Sequence, residues 1–174
     1  MSTNKAVTAE EWMDRLAIIE VKSCYAAGLD ARDWDLWRNV FTDEAIFDLS
    51  SWNKVAPRML DTDRVVRSQA RVFAELITTQ HFFTNHRITV DGDSARGVVH
   101  MRAEHWLQEE DGSTSRYTMF GYYDDKYVRT PDGWKMCEMQ LNVTHTEGDW
   151  RVMSEATRRA QAKKRRSPPL ETVC

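Results

Sequence analysis

Tyr25, Asp30 and His81 are the residues of this chain whose types and spacing could support acid–base chemistry. The first two lie in "CYAAGLDARDWDLW" (24–37), beside several large apolar residues, and the third in "TTQHFFTNHRI" (78–88). A carboxylate that accepts an N–H from an imidazole fixes its tautomer and raises its basicity. The imidazole can then remove a proton next to a carbonyl, while a phenol polarises that oxygen or protonates a leaving hydroxyl. Each residue also has an ordinary reading: Tyr25 and Asp30 as capping and solvation at a helix end, His81 as a hydrogen-bonded core histidine. On an unbroken helix two residues five apart diverge by about 140°. Tyr25 and Asp30 therefore converge, on this reading, only if the helix stops near Gly28 and the chain turns inward.

Other chemistries find little support. His81/His86 and His100/His105 are each five apart, which places the partners on opposite faces of a strand, so no metal site is expected. There is no glycine-rich phosphate loop and no nucleophile elbow, and no cofactor is expected. The 174 residues carry a net charge of −3, with 41% hydrophobic and 29% charged positions, the profile of one soluble globular domain. That charge gives no general reason to expect nucleic acid. The run "RRAQAKKRR" (158–166) is the exception, read as part of a solvated, partly disordered basic tail over 156–174 that follows a domain at 1–155. An electrostatic contact to a subunit, nucleic acid or anionic surface is the alternative. Cys24, Cys137 and Cys174 are odd in number and read as a reduced set, which suits a cytoplasmic protein. No apolar run is long enough for a membrane span.

Helices are predicted first along the chain. Thr8 with Glu11 forms a capping-box pattern, and Trp12, Leu16, Ile19, Ser23 and Ala26 follow as a largely apolar stripe. Asp33 caps a short second helix with Leu36, Trp37 and Val40 inward. A strand covers 44–50, and the stretch 51–60 has no assignable structure. A third helix starts at Asp61 or Thr62, with Val65, Val66, Ala70, Phe73 and Leu76 or Ile77 inward. From about residue 79 the texture is β: four long strands joined by "DGD", "EEDGST" and "TPDG" turns. Alternation puts His81, Phe83 and Asn85 on one strand face and Phe82, Thr84 and His86 on the other. The order gives an α+β fold with N-terminal helices packed on one face of a curved, mainly antiparallel sheet.

The segments "YAAGLDARDWDLWRNVFTDEAIFD", "TTQHFFTNHRI", "VDGDSARG" and "DGWKM" resemble the SnoaL-like branch of the nuclear-transport-factor-2-like (NTF2-like) superfamily, over roughly residues 10 to 148. The enzymes it resembles include scytalone dehydratase, hexachlorocyclohexane dehydrochlorinase and bile-acid 7α-dehydratase. The resemblance implies a cone-shaped α+β barrel, its curved sheet and helices closing on a deep apolar pocket. It puts Asp30 and His81 on the positions of a catalytic carboxylate–histidine pair, and Tyr25 on that of a substrate-contacting tyrosine. Trp34, Phe47, Phe83, Met119, Tyr123 and Met139 are then candidates for the pocket wall. Asn142, with His100 and Arg102, is a polar sheet residue that could face the cavity, an outward or structurally satisfied position being the other reading. The implied function is a cofactor-independent elimination of dehydratase type, or an isomerisation or cyclisation, on a hydrophobic small molecule. The alternative is a non-catalytic binding pocket or scaffold subunit of the same fold. A homo-oligomer is implied as well, a trimer ahead of a dimer.

Overall fold

The computed structural model describes residues 7–166. Helix α1 (Ala9–Ala31) starts at Thr8, whose hydroxyl accepts the Glu11 N–H. It does not stop at Gly28. It runs one turn further and ends at Arg32, which takes the left-handed conformation (φ 57°). The face α1 buries also differs from the expected stripe. Ile18, Lys22, Tyr25 and Leu29 are inside, whereas Trp12 and Leu16 are more than half exposed. The true stripe keeps helical spacing, but a lysine occupies its second position. A hydropathy pattern assigns that residue to the solvent face.

Helix α2 (Trp34–Asn39) is capped by the Asp33 carboxylate. It leads into β1 (Phe41–Asp48), which begins three residues earlier than the sequence suggests. The unassigned stretch that follows contains a single helical turn, α3 (Ser50–Asn53), and a short edge strand, β2 (Arg58–Asp61). Helix α4 (Thr62–Phe73) is capped by Asp61. Three hairpins then join β3 (Thr78–Asp91), β4 (Ser94–Gln108), β5 (Thr114–Thr130) and β6 (Gly133–Gly148). Strand β4 shows the period of two plainly: Ala95, Gly97, Val99, Met101, Ala103, His105 and Leu107 are all buried on one face.

The six strands form one curved mixed sheet in the order β2-β1-β6-β5-β4-β3. The β1–β6 pair is parallel and the other neighbours are antiparallel. The cone is therefore open, with β2 and β3 as free edges, and helices cover its concave face. Parity along β3 does not run straight through. The pairing with β4 shifts between Thr84 and Arg87, and Asn85 sits there in the left-handed region (φ 56°). This bulge brings His86, Ile88 and Val90 to the same side as His81 and Phe83, all five half-buried between exposed neighbours. His81 and His86 thus share a face, contrary to the alternation argument. Asn85 turns away from it, lying 3.5 Å from the exposed His100.

Helix α5 (Arg151–Arg166) replaces much of the expected tail. The boundary placed at residue 155 falls inside this helix, which buries Val152, Met153, Ala156 and Ala160. Its basic residues are partly engaged: Arg158 and Arg159 hold Glu155, Arg159 also donates to the Gln108 carbonyl, and Lys163 pairs with Glu75. Apolar side chains at positions 152, 153, 156 and 160 supply a helical face that a count of charges overlooks. The remaining part of the tail, 167–174 with Cys174, lies outside the described residues. No helix among the described residues is long and apolar enough to cross a membrane.

Candidate active site

Asp30 reaches His81 from the last turn of α1. The carboxylate makes three contacts. Oδ2 accepts the backbone N–H of His81 at 2.7 Å, and Oδ1 lies 2.6 Å from the ring Nδ1 of the same residue. Oδ1 also accepts the Thr79 hydroxyl at 2.8 Å. The local topology explains this arrangement. Strand β3 is a sheet edge, so its outward N–H groups lack a strand partner and a carboxylate at the end of α1 can take one. The helix end is itself tied down. The Arg32 guanidinium donates to the carbonyls of Phe73, Leu76 and Ile77, which fastens α1 to the segment leaving α4.

Burial resists ionisation of Asp30, but the hydrogen bonds from His81 and Thr79 outweigh it and lower the carboxyl pKa. The side chain of His81 is only 4% exposed. With Nδ1 held by Asp30, Nε2 is the ring nitrogen left for another partner.

His81 lines a cavity of about 400 Å³. Tyr25, Leu29, Trp37 and Phe47 close one side, and Met119, Tyr123, Met139 and Leu141 come from the sheet. Met153 of α5 and residues of α3, β2 and α4 complete the wall. Tyr25 packs against the rings of Trp37, Phe41, Phe83 and Tyr123, and its hydroxyl lies 3.4 Å from that of Tyr123. Burial, then the neighbouring Tyr123, Asp125 and Asp30, hold the Tyr25 pKa well above the usual phenol value. The phenol therefore stays protonated and can donate.

Tyr25, His81, Phe47, Met119, Tyr123 and Met139 thus share one cavity, with Asp30 behind His81. Trp34, Phe83 and Asn142 are not on its wall. Trp34 packs edge-on behind Trp37 and Phe73. Phe83 is wedged between Tyr25 and Tyr123, beneath the Lys22 ammonium. Asn142 falls between the inward Leu141 and the half-buried Val143, on the other face of β6.

Two parts of the site were not legible beforehand. His105 lines the cavity, 1% exposed, with its ring edge-on to His81 at 5.5 Å between centroids. Burial first, then the neighbouring His81, lowers its pKa to about 3, so it is neutral. Its Nδ1 and the Trp37 Nε1 are buried without a hydrogen-bond partner among the described residues. The second part is Lys22, which bonds Asp125 at 2.8 Å and sits 3.4 Å from the centre of the Tyr123 ring. Burial lowers the Lys22 pKa and raises that of Asp125, each partly offset by the other. Tyr127 and the Gln140 N–H complete the contacts to Asp125. Among the described residues no group of three or more His, Cys, Asp or Glu could hold a metal ion.

With that geometry in view, the chain can be placed. The SnoaL-like domain family is matched over residues 10–140, and the chain belongs to it. Uncharacterized proteins of Mycobacterium tuberculosis and Mycobacterium bovis are 28% identical over 131 residues, 75% of this chain and 85% of theirs. The crystal structure of the Kfla4162 protein from Kribbella flavida matches with a TM-score of 0.77 at 32% identity, covering 82% of this chain and 98% of that one. A hexachlorocyclohexane dehydrochlorinase from Novosphingobium barchaimii matches with a TM-score of 0.64 at 16% identity, over 81% of this chain and 93% of that one, a likeness of fold.

Proposed function

We propose that this protein is a cofactor-independent lyase of dehydratase type that acts on a hydrophobic small molecule. The observation that carries this reading is His81, held by Asp30, on the wall of a mainly apolar cavity. Asp30 holds the Nδ1–H tautomer of His81, leaving Nε2 as the base. His81 takes a proton from the carbon next to an activating carbonyl, and the C–H electron pair forms the new double bond. The C–O bond breaks, and Tyr25 gives its phenolic proton to the departing hydroxyl, which leaves as water. The imidazolium then returns the proton to Tyr25, and both groups are reset. An apolar wall strengthens each of these polar contacts. Isomerisation or cyclisation of a conjugated ketone would use the same base.

The test is a pair of substitutions. His81→Ala removes the base, and Asp30→Asn removes the negative charge that orients it. Each is expected to lower kcat by about 10²–10⁴-fold on the true substrate. Circular dichroism should show an unchanged fold. Full activity in both variants would refute the mechanism.

A further inference from the structure

The mouth of the cavity differs in chemistry from its depth. Phe47, Met119, Met139, Leu141 and Met153 make the interior apolar, and no aspartate or glutamate among the described residues lies on the wall. At the mouth, however, Arg58 of β2 and Arg64 of α4 both contribute to the lining. Neither guanidinium has a hydrogen bond or ion pair among the described residues, and both residues are exposed. The carboxylates nearest in sequence are already engaged. Asp63 bonds Arg38, and the Asp61 side chain caps the Arg64 backbone N–H. Ser68 and Gln69, one helical turn beyond Arg64, extend the polar strip along the cavity side of α4. The result is an amphipathic receptacle with an apolar body, a proton-transfer site at His81 and two uncompensated positive charges at the opening.

We propose that the natural ligand carries an anionic group, a carboxylate or a phosphate, and that Arg58 and Arg64 hold it at the mouth. Its apolar portion then lies against Phe47, Met119 and Met139, with the reacting carbon toward His81. Guanidinium groups suit this task because their planar N–H forks pair with two oxygens of a carboxylate or phosphate. An anion fixed at the mouth also sets the depth and orientation of the rest of the molecule, which proton abstraction at a single carbon requires. The inference rests on the same cavity being the reaction site proposed above.

Three probes of one size separate the possibilities: neutral 2-methoxynaphthalene, 2-naphthoate and 2-naphthyl phosphate, titrated calorimetrically into the full chain at low salt. At least one anionic probe is expected to bind about tenfold or more tightly than the neutral one. The preference should fall as salt is raised. In the Arg58→Gln/Arg64→Gln variant the anionic advantage should vanish while the neutral probe binds as before. Whichever anion binds more tightly identifies the headgroup chemistry. Equal affinity for all three probes, a preference that survives in the double variant, or no binding of any probe would overturn the proposal. Because binding alone is read, these outcomes are independent of whether His81 and Asp30 variants lose turnover.

Discussion

His105 is a wall residue whose ionisation the fold constrains. Buried beside His81, it keeps a pKa of about 3, against 6.5 for an ordinary histidine. Below pH 6.5 the unfolded chain takes up a proton at this position that the folded chain refuses until about pH 3. Stability is therefore lost as pH falls through that window. His105→Gln removes the proton uptake, so urea unfolding between pH 7 and pH 4 should show a flatter decline in the variant than in the wild type. Equal slopes would mean that this imidazole protonates readily in the native state. Tyr25, Asp30 and His81 were legible as a set because their types name a chemistry and the family motif fixes their positions. His105 and Lys22 were not. A buried histidine and a buried lysine look, in sequence, like the polar residues of a solvated face. Only the packing of three aromatic rings and Asp125 around the ammonium shows otherwise.

At the scale of elements, the junction of α1 and α2 determines where Asp30 stands. Gly28 is buried against Trp37, and a Cβ there would lie 2.8 Å from the Trp37 backbone nitrogen and 2.9 Å from its Cβ. Neither atom is the end of a flexible side chain, so the helices themselves would have to move. Gly28→Ala should cost about 1–3 kcal/mol of stability, read from urea unfolding. It should also lower activity, because the turn that carries Asp30 shifts away from β3. A variant as stable and active as the wild type would show that the junction can relax freely. The glycine was visible in the sequence, but its role was misread as a helix stop when it marks a close helix crossing. The Asn85 bulge was invisible for a related reason. Alternation fixes faces only while the register is unbroken, and one residue in the left-handed region reverses every face beyond it.

At the scale of the whole molecule, α5 closes the cone that the sheet leaves open. Met153 contributes to the cavity wall, and Val152, Ala156 and Ala160 are buried with it. A chain ending after Gly148 should lose about 3–5 kcal/mol, since Val152 and Met153 alone bury most of their surface there. A thermal melt compared with the full chain would measure the loss, and calorimetry should show weaker binding of 2-naphthoate through the opened floor. An unchanged melting temperature would show that α5 only rests on the fold. The amino-acid sequence by itself determined the fold class, the order of the hairpins and the three residue types at the site, since periodicity, turn chemistry and family motifs are local properties. Tertiary structure alone decided which side chains meet in the cavity. The inward Lys22, the neutral His105 and the arginines at the mouth depend on contacts between segments distant in the chain. Such contacts are set by helix crossings, a strand bulge and the curvature of the sheet, none of which leaves a local signal.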